Sequence, residues 1–184
     1  MALTTLARLK SHLQLVSTDT TKDVLFAETI ERISAQIRDT AHRNFDQATL
    51  TEYHDGDGSQ INLVLREFPV ASVTTLHDDP DRAYGASTLI AAADYVVDLT
   101  AGIITLDGLV FAKGLQNIKV VYVGGYKVIP QDLELACLKL CAAEFIEQHG
   151  QLNILTEIPQ ANRLRDMRRE ADDTIARYTK TLVR

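Results

Sequence analysis

The stretch Ile118-Lys119-Val120-Val121-Tyr122-Val123-Gly124-Gly125, continued by Ile129-Pro130 and then by Leu133, Leu135, Ala136, Leu138, Leu140, Phe145 and Ile146, decides the fold. Its first half is extended and rich in β-branched residues, and paired glycines close it as they close a strand. Pro130 stands where a helix tolerates a missing N–H, and the residues from there to Gln148 are apolar nearly all round. A helix with so little polar face is a central one, so a β segment leads directly into a helical core.

Working back toward the N-terminus, period-two patterning continues. Strands are predicted at Tyr95 to Leu99 and Ile103 to Leu106, with Ala101-Gly102 as the turn between them. Pro69 opens an extended piece through Val70, Val73 and Leu76, and the polar run from His77 to Ser87, with Pro80 and Gly85, predicts an exposed loop. Leu50 to His54, the turn Asp55-Gly56-Asp57-Gly58-Ser59, and the alternating Ile61, Leu63 and Leu65 predict a hairpin. Helical spacing returns in Phe26, Ile30, Ile33 and Ile37, where Thr20 and Asp23 approximate a capping box, and again in Leu6, Leu9 and Leu13. Beyond the central helix, Gly150 can stop it and Pro159 restarts the chain. Leu164, Met167, Ala171, Tyr178 and Leu182 then mark a narrow seam on a charged helix.

The fold class is therefore α+β: a small helical core with a β-sheet insertion between its second and third helices and a C-terminal amphipathic helix. The expected division is residues 1–148 (helices 4–15, 22–42 and 130–148, β insertion 48–126), a linker at 149–159, and the last helix at 160–184.

The chain's 184 residues, 46% hydrophobic and 24% charged, suit one ordinary globular domain with an appendage. No apolar run reaches the roughly 20 residues that cross a bilayer, so no membrane partner is expected and a cytoplasmic setting is. A net charge of −6 argues against a surface built to grip nucleic acid. Residues 1–159 hold 12 basic and 21 acidic side chains, a balance of −9, while residues 160–184 hold 7 and 4, a balance of +3. Cys137 and Cys141 share one face of the central helix and read as small core residues.

Chemistry-bearing motifs are absent: no G-x-S-x-G elbow, no phosphate loop ending in Lys-Ser or Lys-Thr, no H-E-x-x-H and no paired C-x-x-C. Asp55-Gly56-Asp57-Gly58-Ser59 has the alternating acids of a calcium loop, but its glycines are misplaced and the closing Glu is missing, so a turn is the better reading. His12, His42, His54, His77 and His149 are scattered, and His77-Asp78-Asp79 reads as a turn-forming run. These residues point to no catalytic group, no cofactor and no metal. One electrostatic feature remains. Arg163, Arg165, Arg168 and Arg169 lie along the seam of the last helix, interleaved with Asp166, Glu170, Asp172 and Asp173. Either this is a solvated face with weak ion pairs, or the seam docks on a neighbouring protein with arginines at its rim. Docking is favoured, on Arg163, Leu164, Met167, Arg168, Ala171, Tyr178 and Leu182. The interleaved acids count against a DNA-reading helix.

Several strings together resemble the head-tail connector (adaptor, head completion) proteins of long-tailed bacteriophages. These are Leu3-x-x-Leu6-Ala7 with Leu13, Arg43-Asn44-Phe45, Leu65-Arg66-Glu67-Phe68-Pro69-Val70-x-Ser72-Val73, Asp94-Tyr95-Val96-Val97-Asp98, Gly102-Ile103-Ile104, and Val120-x-Tyr122-x-Gly124-Gly125-Tyr126 before Ile129-Pro130. The likeness covers residues 3–148; the helix from Gln160 onward is an addition to it. The resemblance implies a non-enzymatic adaptor of the virion, assembled in the host cytoplasm. It implies a ring of self-copies, dodecameric, beneath the portal protein, offering a platform to a stopper or tail-completion protein. Genomic DNA would pass through without specific binding. The competing reading is a small-molecule-binding or enzymatic α+β domain that uses the β insertion as a pocket, with His54 and His77 as polar groups.

Overall fold

The computed structural model describes residues 2–149 and 160–179. The chain divides into two compact units, Met1–Arg43 with Ile129–Arg184, and Asn44–Val128.

The first unit is helical: α1 (Leu6–His12), α2 (Asp23–Ala41), α3 (Gln131–His149) and α4 (Gln160–Tyr178). Thr5 caps α1, its side chain accepting from the Arg8 N–H. The α2 stripe Phe26, Ile30, Ile33 and Ile37 is buried, as its spacing requires, together with Leu9 and Leu13 of the first segment. Each of the other three helices packs on α3, which buries Leu133, Ala136, Cys137, Leu138, Cys141, Ala142, Ala143 and Phe145. That explains the near absence of a polar face. Phe145 meets Phe26 with ring centroids 4.9 Å apart. Both cysteines are free core thiols, and Cys137 Sγ lies 3.8 Å from Ser34 Oγ.

The predicted capping box is not what starts α2. Lys22 occupies the cap position without a side-chain bond, while Asp19 accepts from the Thr21 N–H and hydroxyl. The buried Lys10 ties this turn instead. Its ammonium donates to the Asp19 carbonyl at 2.7 Å and pairs with Asp23, whose negative charge also suits the positive end of α2.

The second unit holds two three-stranded antiparallel sheets. One has the order β1 (Ala48–Gly56), β6 (Gly114–Gly124), β3 (Val70–Asp78). The other has the order β2 (Asn62–Val64), β5 (Ile103–Leu106), β4 (Tyr95–Asp98). Both sheets contribute to one apolar cluster that includes Leu63, Leu65, Leu76, Ile104, Leu106, Phe111, Ile118, Val120 and Tyr122. The β4–β5 pair forms around Ala101-Gly102 as the sequence predicts. The hairpin predicted across Asp55–Ser59 does not form, because β1 pairs with β6 and β2 pairs with β5. Asp57 folds the intervening chain into a local turn, its carboxylate accepting from the N–H groups of Ser59 and Gln60 at 2.7 Å each. Alternation correctly turns Leu63 and Leu65 inward, yet Ile61 is 44% exposed.

The run after β3 is less of a surface loop than its composition implies. Asp79 is buried and accepts from the N–H groups of Asp81 and Tyr84 at 2.9 and 2.6 Å. Asp78 accepts from the Ala112 N–H and the Asn117 amide at 2.6 and 2.8 Å. Asn117, fully buried, also accepts from the Gly56 N–H at 2.9 Å and donates to the Ala112 carbonyl at 2.9 Å.

A second polar knot fastens the two sheets. Glu52 on β1 accepts from the Tyr122 hydroxyl of β6 at 2.5 Å and from the Arg66 N–H, just after β2, at 3.2 Å. The same hydroxyl accepts from the Glu67 N–H at 3.0 Å, and His54 Nε2 lies 2.9 Å from Glu52. The glycines that end β6 permit this closeness. A Cβ on Gly124 would sit 2.8 Å from the Glu67 carbonyl oxygen, and one on Gly125, at φ +99°, would sit 2.4 Å from that of Asp46.

Burial pushes the Glu52 carboxyl up, but hydrogen bonds from His54, Tyr122 and the Arg66 N–H outweigh it and leave its pKa below the ordinary 4.5. A depressed carboxyl contributes stability that is complete above its unfolded value and is lost as pH falls through the folded one. Urea midpoints should therefore hold from pH 7 to about 5 and decline below about 4.5. In Glu52→Gln that acid-side decline should be shallower, with lower stability at pH 7. Asn117→Leu strands the Gly56 N–H, the Ala112 carbonyl and Asp78 together. It should cost about 2–4 kcal/mol in urea unfolding. Ile175→Asp, placing a carboxylate in the buried face of α4, should destabilise the helical unit by roughly 3–5 kcal/mol.

Candidate interaction surface on the last helix

The basic helix is a working part of the helical unit. Ala171 and Ile175 are buried, and α4 packs on α3 and α2. Ile175 completes the apolar face between Ala171 and Tyr178; the sequence reading passed over it although its spacing fits. Polar contacts border this packing. Lys139 of α3 reaches Glu170 at 2.5 Å, Arg168 reaches Glu147 at 2.6 Å, and the Tyr178 hydroxyl donates to Asp132 at 2.6 Å. Arg177 approaches the other oxygen of Asp132 at 3.7 Å. Lys139 holds the exposed Glu170 carboxyl below its ordinary range.

The predicted site residues thus separate into groups. Ala171 is covered within the unit; Arg163, Leu164, Met167 and Tyr178 are half-buried; Arg168 is exposed and paired; Leu182 lies outside the described residues. Arg165 and Arg169 extend furthest into solvent, sharing the Asp166 carboxylate at 3.9 and 3.8 Å. An open cleft of about 570 Å³ is lined by Glu147, Leu164, Arg165, Arg168, Arg169 and Asp172.

In the β unit the histidines are committed to neighbours. His54 faces Glu52, and His77 Nδ1 lies 3.4 Å from the Thr88 hydroxyl with its ring edge-on to Tyr84. Among the described residues, no group of three His, Cys, Asp or Glu side chains gathers as a metal site. No helix among them is long and apolar enough to cross a membrane.

Among curated proteins, none matches the chain. Its fold is that of several solved structures. A chain in the neck of an empty gene transfer agent (GTA) particle computed with C6 symmetry is 18% identical, with a TM-score of 0.58 over 99% of this chain and 92% of that one. One in the neck of a native GTA particle computed with C12 symmetry is 19% identical, with a TM-score of 0.53 over 97% and 90%. A chain of the native GTA virion is 18% identical, with a TM-score of 0.55 over 99% and 92%. The family model described as head completion protein matches residues 2–161. The chain belongs to the head completion protein family and is a structural head–tail connector of virion assembly, not an enzyme.

Proposed function

We propose that copies of this chain form a ring, dodecameric in the complete particle, beneath the portal protein of the filled head. The far side of the ring receives a stopper or tail-completion protein, and genomic DNA passes through its bore. The observation that carries this reading is family membership over residues 2–161, together with a fold shared with neck chains of particles computed with sixfold and twelvefold symmetry. Rotational symmetry of a single chain type closes into a ring. In this reading α4, anchored within the helical unit through Ala171 and Ile175, still offers Leu164, Met167, Arg163 and Arg168 to a neighbour.

Charge supports free passage of DNA. The balance of −9 over residues 1–159 keeps phosphate contacts from accumulating on most of the protein, so the duplex meets like charge.

Portal-bearing heads incubated with the protein should acquire about twelve copies each, counted by quantitative mass spectrometry, with a ring visible in averaged electron micrographs. Heads that take up one or two scattered copies would refute the ring. In a gel-shift titration at physiological salt, duplex DNA should be bound no tighter than about 10⁻⁴ M. Micromolar retention would exclude an inert bore.

A further inference from the structure

A cyclic ring needs two complementary surfaces on every copy, each met by the other on the next copy. The helical unit holds one complementary pair already joined: α4 and the side of α3 that it covers. Asp132 at the start of α3 accepts from the Tyr178 hydroxyl at the end of α4 at 2.6 Å, and Arg177 approaches it at 3.7 Å. Midway, Lys139 meets Glu170 at 2.5 Å, and near the end of α3 Glu147 meets Arg168 at 2.6 Å. The two helices therefore run antiparallel, and contacts spaced along them fix one register. One chain carries every one of these partners, so a second copy presents an identical helix and an identical seat.

α4 is held lightly for a helix of its length. Among its described residues Ala171 and Ile175 alone are fully buried, Leu164 and Met167 are half-buried, and the bordering ion pairs reach solvent. Exposed pairs contribute little, which places α4 among the parts of the unit that open first. Lifting it bares apolar α3 side chains, and the helix shaped to cover them again is another α4. The connection is long enough for that exchange. Packed helices lie about 8–10 Å apart and antiparallel neighbours are joined by about 2–8 residues, whereas the ten residues 150–159 reach roughly 33 Å when extended.

We infer that in the ring each α4 sits on the α3 of the neighbouring copy, in the contacts it makes here within one chain, so that exchanged helices join the copies. The inference rests on the ring reading and names the surface that links its members. Exchanged and unexchanged contacts are the same, so concentration decides between them. A dilute chain keeps its own helix, whose effective concentration is on the order of millimolar, while copies held side by side on a portal meet a neighbour's helix at a comparable value. Any further contact between adjoining copies then tips the balance toward exchange.

Glu147→Cys with Arg168→Cys, at two exposed positions whose side chains touch, gives a full-length chain that a short bismaleimide can bridge across the α3–α4 contact. Wild type, whose Cys137 and Cys141 are buried, sets the background. In dilute solution the product should keep the mass of one chain; no product there would show the contact itself to be absent and overturn the inference. After assembly on portal-bearing heads and denaturation, the ratio of multi-chain to single-chain product should rise at least about tenfold. Rings mixed from equal amounts of the two single variants should give a two-chain product at about one junction in four, since no chain then holds both exposed thiols. Assembled double variants that yield single-chain product alone, or mixed rings that yield no two-chain product, would overturn the inference. Copies per head, counted before the crosslink, keep the two readings apart. A normal count without interchain product leaves the ring standing, whereas heads that never gather a ring of the wild-type chain would remove the parent reading and the exchange with it.

Discussion

The β unit depends on keeping one carboxylate, Glu52, ionised in a buried place. A carboxylate out of water is costly unless its oxygens are bonded, and here the Tyr122 hydroxyl, the Arg66 N–H and His54 converge on it. Tyr122 is fixed in turn by the Glu67 N–H. Burial and the adjacent carboxylate raise the pKa of its hydroxyl, so it remains a donor at any physiological pH. This one network joins β1, β6 and the segment leaving β2. It sets how two short sheets share their apolar cluster, which is a question of register that non-directional apolar packing alone would leave loose.

The helical unit solves its own problem differently. An apolar helix such as α3 must be covered on several sides, and α1, α2 and α4 each bring a stripe to it. Direction comes from ion pairs at the border of the packing: Arg8 with Glu134 at 2.6 Å, Arg32 with Glu144, and Lys139 with Glu170 at 2.5 Å. Exposed pairs of this kind contribute little stability individually, so burial of the stripes holds the unit together and the charges select the arrangement.

Stripes and strands were legible in the sequence because each is a local periodicity. Phe26, Ile30, Ile33 and Ile37 face inward as their spacing demands, and Tyr95–Asp98 pairs with Ile103–Leu106 across a turn that two residues announce. Pairing between distant strands was not legible. An Asp-Gly-Asp-Gly-Ser run between two apolar segments reads as a hairpin, but its outcome was decided by β6, more than fifty residues later, which gives β1 a longer partner than the three-residue β2. The last helix was legible as amphipathic. That its centre rests on α3 of the same unit was not, since the seam looks alike whichever protein covers it. Ile175 shows the signal that existed, a position at helical spacing that extends the face inward.

Among the described residues, the buried polar groups are arranged to hold the fold. General acid or base work needs a titratable group with lone pairs or protons left over for a substrate. Glu52, Asp78, Asp79 and Asn117 instead turn toward main-chain N–H and carbonyl groups at loop ends. His77-Asp78-Asp79, the run most suggestive of chemistry, is thereby a device for fastening the start of β6 to the end of β3. Exposed charge of both signs remains on each unit, as with Asp55, Asp57, Arg82 and Lys113 in the β unit and Arg165, Arg169 and Asp172 on α4. Glu52, Asp78, Asp79 and Asn117 are thus engaged in holding loops and sheets in register, and what the described surface offers a partner is charge of both signs beside exposed apolar side chains.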